Sequence, residues 1–341
     1  MKKLAIIIAT LLAGLASISQ VRKVGAVGIT VSEMNRSVSF YSEVLGFKKV
    51  SDMELFGAGY ESLQGIFGLR IRIVRMQLGD EFIELTDYLT SGGRNIPEDA
   101  RSNDLIFQHI AIVVSDMDKA YTHLRKYMVM HVSTGPQTIP ASNVAAAGVR
   151  AFYFHDPDMH NLELIYFPPG KGQPKWQGPF AGNAATSAGS AVPRKLFLGI
   201  DHTAIGVSDT DSSLHFYQDL LGIERRGDSW NKGMEQAHLN FVEGASLHIT
   251  GMRAAAGPGI EFLQYLQPGP GKLFPRDSKT DDIWHWQTTL FVDDIAGLYE
   301  RLKTKGYIFI SRELVTVGKQ KAFIVRDPDG HAMLITEMIA P

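Results

Sequence analysis

The feature that most limits what this chain can fold into is that it repeats itself. Residues 28–47, GITVSEMNRSVSFYSEVLGF, align without a gap on residues 204–223, AIGVSDTDSSLHFYQDLLGI, 176 positions later. A second match runs from Tyr88 (YLTSGGRNIPEDARSNDLIFQHIAIVVSDM) onto the stretch from Tyr265 (YLQPGPGKLFPRDSKTDDIWHWQTTLFVDDI), with the offset drifting by one residue. A match of this length means one architecture used twice. At 341 residues the chain fits about two domains, each large enough to bury its own core.

Between the halves, FPPGKGQPKWQGPFAGNAATSAGSAVPRK (167–195) is rich in Pro, Gly, Ala and Ser and has no apolar period, as a linker should. The expected domains are therefore 21–170 and 195–341, joined by 171–194. Each half divides again. The strand-like runs AVGITV (26–31), HIAIVV (109–114), HTAIGV (202–207) and QTTLFV (287–292) each lead into a polar cap and an amphipathic helix. Val38/Tyr41/Leu45, Met117/Ala120/Leu124, Leu214/Tyr217/Leu221 and Ile295/Leu298/Leu302 each form one stripe at i, i+3 and i+7. Three further short strands follow each helix, so the units read βαβββ and the class is α+β. In the second unit of each half the last two strands are joined at HDPDMHN (155–161) or RDPDGHA (326–332). Asp-Pro-Asp-Gly is turn chemistry, with Gly330 free to take φ > 0, and Met159 departs from it.

The first 19 residues, MKKLAIIIATLLAGLASIS, put two lysines before an apolar run of about 13 residues and then small residues, the order of a cleaved secretory signal. That run is short of the roughly 20 residues that span a bilayer. An exported chain, periplasmic or secreted, is expected, with no membrane association after signal cleavage. The chain has no cysteine, which excludes disulfides, thiolate metal sites and lipidation of an N-terminal Cys. With 34 basic residues against 36 acidic ones there is no cationic excess to neutralise a phosphate backbone, so nucleic acid is not an expected partner.

Four βαβββ units in two tandem pairs, with V-S-D strand ends and a D-P-D-G-H turn before the last strand, resemble the vicinal oxygen chelate superfamily, which holds glyoxalases, bleomycin-resistance proteins and extradiol dioxygenases. The likeness covers nearly all of residues 21–341. It implies that the two units of each domain form one curled, cavity-enclosing mixed sheet. It also implies metal ligands at two positions per unit, the start of the first strand and the middle of the last. Strand side chains alternate, so with Thr203, Ile205 and Val207 on the helix side, His202 points into the cavity. The first-strand positions read Ala26, His109, His202 and Gln287; the last-strand positions read Glu84, Glu163, Glu261 and Leu334. Paired by halves, the first domain offers Glu84, His109 and Glu163 and the second His202, Glu261 and Gln287, three of four in each. Such N/O donors suit a divalent Mn, Fe, Co, Ni or Zn ion with open positions.

The glyoxalase-type set of Gln or His and Glu is the nearer likeness. By it the metal polarises adjacent substrate oxygens and a displaceable glutamate, Glu163 or Glu261, moves a proton. An extradiol dioxygenase needs two histidines and a carboxylate, which His202, His285 and Glu261 can supply if His285 replaces Gln287. Parity also turns Arg72 and His248 inward, if Ile71/Ile73 and Leu247/Ile249 take the helix side, where the two can clamp an anionic substrate. Trp284 and Trp286 either line an aromatic pocket or pack in a core. The resulting expectation is an exported metal-dependent enzyme of isomerase or lyase type acting on a small oxygenated molecule. The alternatives are a ring-cleaving dioxygenase and a non-catalytic ligand-binding protein of the resistance type. The expected partners are a small-molecule substrate and, at most, a second copy in a homodimer.

Overall fold

Four acidic side chains start four helices at the same place in four units. Glu33 accepts from Asn35 N and Arg36 N at 2.9 and 2.7 Å, Asp116 from Lys119 N at 3.0 Å, Asp209 from Ser212 N at 2.8 Å, and Asp294 from Gly297 N at 2.9 Å. Each satisfies amide protons that a helix start leaves unpaired. In the computed structural model, which describes residues 20–177 and 195–338, these caps mark four modules. The signal-like segment 1–19 and most of the linker lie outside the described residues.

Module 1 comprises β1 (Val21–Val31), α1 (Met34–Ser39), β2 (Lys48–Phe56), α2 (Ala58–Gln64), β3 (Arg70–Leu78) and β4 (Glu81–Tyr88). Module 2 comprises β5 (Gln108–Val114), α3 (Met117–Lys126), β6 (Gln137–Thr138), β7 (Arg150–His155) and β8 (Asn161–Tyr166). Module 3 repeats the first with β9 (Phe197–Val207), α4 (Thr210–Leu214), β10 (Glu224–Lys232), α5 (Met234–Asn240), β11 (Ser246–Arg253) and β12 (Gly259–Gln267). Module 4 repeats the second with β13 (Trp286–Val292), α6 (Ile295–Thr304), β14 (Val315–Val317), β15 (Gln320–Arg326) and β16 (Ala332–Glu337). The α+β class and the four strands per unit are as expected; α2 and α5, between the second and third strands of modules 1 and 3, add a helix to the expected βαβββ order.

The pairing of the units is not. Two eight-stranded curled sheets form, in the orders β14-β15-β16-β13-β1-β4-β3-β2 and β10-β11-β12-β9-β5-β8-β7-β6. Modules 1 and 4 therefore share one sheet and modules 2 and 3 the other, joined by antiparallel pairs β1–β13 and β5–β9. The expectation that each half closes its own sheet is corrected. The reason lies in the helix stripes. Within the first half, Val27, Tyr41, Leu45 and Ile83 of module 1 share one core with Ile110, Leu124, Phe152 and Leu162 of module 2. In the second half, Ile205, Tyr217 and Phe262 likewise share a core with Leu298, Phe323 and Ile335. Modules whose helix faces bury one another lie face to face, so their first strands cannot also lie edge to edge. The edges of β1 and β5 are left for the other half. The long connections 89–107 and 268–285 make the crossing, and Arg94 on the first binds Asp282 on the second through Nε and Nη2 at 2.9 and 2.7 Å.

The D-P-D turns stitch each half together. Asp156 accepts from Tyr41 at 3.1 Å and holds His160 at 2.9 Å, while Asp158 accepts from Ser32 N at 3.0 Å. Asp327 accepts from Tyr217 at 3.0 Å and holds His331, and Asp329 accepts from Ser208 N at 3.0 Å. Met159, the residue out of keeping with the turn, takes φ 71°.

Between the sheets the backbone runs close at Gly257 (φ 90°), where an added Cβ would stand 1.9 Å from Val24 O. Gly257→Ala is expected to cost about 3 kcal/mol, from the clash and the left-handed φ together. A fall in urea midpoint at unchanged m-value is the check.

Candidate metal centre

The cupped face of the 2–3 sheet carries two small residues at its middle, and four long side chains surround them. Ala111 on β5 lies beside Glu163 in the parallel ladder to β8 and opposite His202 across the antiparallel join to β9. Ala204 lies opposite His109 and beside Glu261 on β12. His109 Nε2 and His202 Nε2 approach the same oxygen, Glu163 Oε2, at 3.1 and 3.5 Å, and His202 Nε2 is 3.3 Å from Glu261 Oε2. His109, Glu163 and His202 are buried, whereas the Glu261 side chain is 29% exposed.

Two observations indicate what this arrangement fits. Both ring nitrogens of His109 are buried and neither makes a hydrogen bond, although Nε2 is close to a carboxylate. A buried polar atom without a partner is costly, and here it points where Glu163 and His202 also point. The spacings are also those of donors to one ion: ligands about 2.1 Å from a common centre and about 90–110° apart sit roughly 3.0–3.4 Å from each other. Two imidazoles and two carboxylates suit Zn, Mn, Fe, Co or Ni and do not choose among them. Single donor atoms of His109, Glu163 and His202 all lie within 4.8 Å of one another, and Glu261 approaches from the His202 side.

A fifth residue aims the site. Asp201 Oδ2 holds His202 Nδ1 at 3.1 Å, which leaves Nε2 to face Glu163 and Glu261. Asp201 is itself fixed by Trp176 Nε1 at 2.6 Å, Gln173 Nε2 at 2.8 Å and Arg253 Nη2 at 2.8 Å. Burial pushes the Asp201 carboxyl up, but the His202 contact and the Arg253 charge outweigh it and hold it well below the usual range. Burial works against a charged His202, yet Glu261, Asp201 and Glu163 together hold its proton far above ordinary histidine. Burial raises Glu261, and the neighbouring Glu163 charge raises it further. Sequence reasoning passed over Asp201. Its signal was the acid directly before His202, which Gly25 replaces in module 1.

In the 1–4 sheet the equivalent positions are Ala26, Glu84, Gln287 and Leu334, two of which hold no donor. Glu84 is bound by Arg75 Nη1 at 2.7 Å, and Gln287 packs on Gly28. His285 lies against Gln287 in this sheet, so His202, His285 and Glu261 are not brought together. Burial pushes His285 down to about 3. Unfolded histidine gains a proton below about pH 6.5, so the folded state loses stability as pH falls from there towards 3. His285→Gln is expected to flatten this acid limb by about 1 kcal/mol per pH unit, read from urea midpoints across that window.

The parity argument fails at two other residues. Val74 and Met76 face the helices, and Arg72 shares their side; it binds Asp52 through Nε and Nη2 at 2.8 Å and Asn35 on α1 at 3.1 Å. His248 shares the side of Met252, binds Asp228 at 2.8 Å and stacks on Trp230. Ile71/Ile73 and Leu247/Ile249 instead pack on the cupped faces. Both sides of these strands are apolar, so alternation alone did not orient them. Trp284 donates to Ser278 Oγ at 2.9 Å beneath Arg94, and Trp286 is buried edge-on to His160.

A cleft of about 1210 Å³ is bordered by Phe107, Ser133, Met159, Asn240, Phe241 and Trp284, and none of His109, Glu163, His202 and Glu261 lines it. The ring of Phe107 packs edge-on against His109 at 5.5 Å, so one side-chain layer separates cleft and cluster.

The profile described as Glyoxalase/Bleomycin resistance protein/Dioxygenase superfamily matches residues 23–164 and 199–335. An uncharacterized protein of Bacillus subtilis, YwbC, is 30% identical over 134 residues, 38% of this chain and 90% of its own length. A 2-epi-5-epi-valiolone epimerase of Actinomyces is 32% identical over 149 residues, 42% of this chain and 79% of its own. Among solved structures, glyoxalase I of Zea mays superposes with TM-score 0.59 at 15% identity, covering 94% of this chain and 92% of its own. With the profile matched in both halves, the chain belongs to the glyoxalase, bleomycin resistance protein and dioxygenase superfamily.

Proposed function

We propose that the chain is a divalent-metal enzyme that moves a proton on a small oxygenated substrate, an isomerase or epimerase in reaction type. The observation that carries this reading is the convergence of His109, Glu163, His202 and Glu261 in one sheet, with Asp201 fixing His202. A metal held there supplies Lewis acidity to a substrate oxygen and makes the adjacent C–H more acidic. Glu163 is buried between two histidines that offset its burial and hold its carboxyl low, so it remains an anionic ligand. Glu261 is the partly exposed carboxylate, and burial raises its proton affinity. It takes the substrate proton and returns it. The Phe107 ring, packed edge-on against His109, covers the cluster on that side. The likeness to an epimerase and to a glyoxalase supports this class.

A second reading rests on one observation: His109, His202 and Glu163 are two histidines and a carboxylate, the set that holds Fe(II) in ring-cleaving dioxygenases. Glu261 favours the first reading, because it adds a carboxylate next to the open side. Metal-loaded protein incubated with a panel of hydroxyketones in D2O should place deuterium at the carbon beside the carbonyl, followed by NMR. Glu261→Gln should slow this by about 10²–10⁴-fold with metal retained. Oxygen uptake with catechol and no exchange would select the dioxygenase. Neither signal would leave a ligand-binding protein. From the leader-like residues 1–19 alone we further propose export, checked by finding the processed chain outside the cytoplasm.

A further inference from the structure

Four carboxamide side chains run head to tail from the surface into the 2–3 sheet. Asn143 Nδ2 donates to Asn231 Oδ1 at 2.6 Å, Asn231 Nδ2 to Gln236 Oε1 at 3.0 Å, and Gln236 Nε2 to Asn240 Oδ1. Asn143 is half-buried and the three that follow are buried. Each amide accepts from one neighbour and donates to the next, so the dipoles align and each bond strengthens the following one. With Asn240 Oδ1 taken, its Nδ2 faces onward, buried and without a partner. A buried donor is costly to leave unpaired.

Module 1 shows the same place when it serves the fold alone. The duplication pairs Asn240 with Gln64 and Tyr265 with Tyr88. There, Tyr88 Oη donates to Gln64 Oε1 at 3.2 Å. In module 3 the amide side chain is one methylene shorter, and Tyr265 Oη is, like Asn240 Nδ2, buried and unpartnered. The relay that feeds Asn240 is also absent from module 1, where Leu55 and Tyr60 stand for Asn231 and Gln236. The sheet that lacks two metal donors satisfies the pair; the sheet that gathers four leaves both polar ends free.

Both ends belong to the cup. Tyr265 follows Glu261 by four residues on one face of β12 and packs with Leu263, Ala204 and Tyr153. Tyr153 pairs with Glu163 in the β7–β8 ladder, and its ring centroid is 4.9 Å from that of His109. Burial raises the Tyr153 phenol well above its ordinary value, Glu163, Tyr265 and Glu261 raise it further, and Asn240 works against them. The Tyr153 hydroxyl thus has the ligand cluster on one side and the unpartnered pair on the other. Asn240 also belongs to the wall of the cleft beyond Phe107, but its side chain is buried and Nδ2 does not open on that space.

We propose that Asn240 and Tyr265 are specificity-determining residues that hold a hydroxyl of the substrate inside the cup, apart from the oxygens the metal takes. This rests on the metal reading above. Nδ2 can only donate, a phenol donates and accepts, and a ligand hydroxyl answers both at once. The substrate class is therefore a polyoxygenated small molecule with a hydroxyl beyond the pair of oxygens at the metal. Its deoxy analogue is refused because it leaves two buried groups unpaired.

Matched hydroxamates test this. Glycolohydroxamate and its three- and four-carbon ω-hydroxy homologues carry the hydroxyl at increasing reach, and their isosteres carry a methyl group in its place. On zinc-loaded protein, titration calorimetry should show at least one hydroxy probe binding at least about tenfold tighter than its methyl isostere. Asn240→Gln, which restores the arrangement of Gln64 and Tyr88, and Tyr265→Phe should each remove that preference and leave the methyl probe within about twofold of its wild-type affinity. Neither should lower the melting temperature, because one makes a bond and the other deletes an unpaired hydroxyl. On zinc-free protein, the matching ω-hydroxy amides, which lack the chelating head, should shift the Asn240 side-chain resonances in 15N NMR, and the methyl-ended amides should not. No preference at any chain length, or a preference kept in either variant, would overturn the proposal. A lowered melting temperature with no hydroxyl preference would mark a purely structural pair and overturn it too. Failure to take up zinc with Asn240 still shifted by the hydroxy amides would sink the metal reading and keep the hydroxyl site; loss of both would sink the two together.

Discussion

Glu163→Gln is expected to strip the divalent metal from this protein, while Glu84→Gln leaves its content unchanged. Both glutamates occupy the same strand position in their modules, so a reading from register alone predicts equal effects. The surroundings differ. Glu163 Oε2 is shared by His109 and His202 in a site where all four positions hold a donor, whereas Glu84 is neutralised by Arg75 beside Ala26 and Leu334. Gln fills nearly the volume of Glu and removes the charge that two imidazoles and a cation need, so the fold should persist. Elemental analysis should fall from near one equivalent per chain to below about a tenth in Glu163→Gln. The stabilisation by added metal, about 2.7 kcal/mol at a hundredfold excess over Kd, should disappear with it. Equal loss in both variants would mean two working sites, and no loss in Glu163→Gln would remove the centre described above.

Much of the site is legible in the sequence: the family resemblance puts His109, His202, Glu163 and Glu261 on the cupped side, strand alternation supports it for His202, and each is there. What alternation does not encode is which strand edges meet. β1, β5, β9 and β13 are buried on both faces along most of their length and present similar edges, and the helix stripes are satisfied by any partner that buries them. The assumption that neighbours in sequence share a sheet split the four ligands into two incomplete sets. The crossing unites them and leaves Ala26 and Leu334, the two positions without a donor, together in the other sheet. Arg72 and His248 were misplaced for a related reason: Ile71 and Ile73 pack against residues around α2 on the cupped side, so the apolar stripe did not mark the helix face. Asp201 was passed over because an acid beside a ligand has no periodicity of its own.

The crossing also makes the strongest prediction, since cutting the chain between the halves divides the metal centre between two pieces. Expressed separately, residues 20–177 and 195–338 each retain a helix-face core, so each should collapse. The first piece then exposes the edges of β1 and β5, the second those of β9 and β13, and unpaired edges seek partners. Paired with itself, the first piece can offer only Glu84, His109 and Glu163 opposite Ala26, and the second only His202, Glu261 and Gln287 opposite Leu334. Mixed together, they can rebuild the 2–3 sheet with His109, Glu163, His202 and Glu261, while Asp201 meets Trp176 and Gln173 across the cut. Loss of a group that merely orients a ligand costs about 10–100-fold in metal affinity. The mixture should therefore bind zinc at least about 100-fold more tightly than either piece, in a 1:1 complex, measured by chelator competition and light scattering. If the first piece alone bound zinc as tightly as the intact chain, its own two modules would be closing the site, and the β5–β9 join would not be what assembles it.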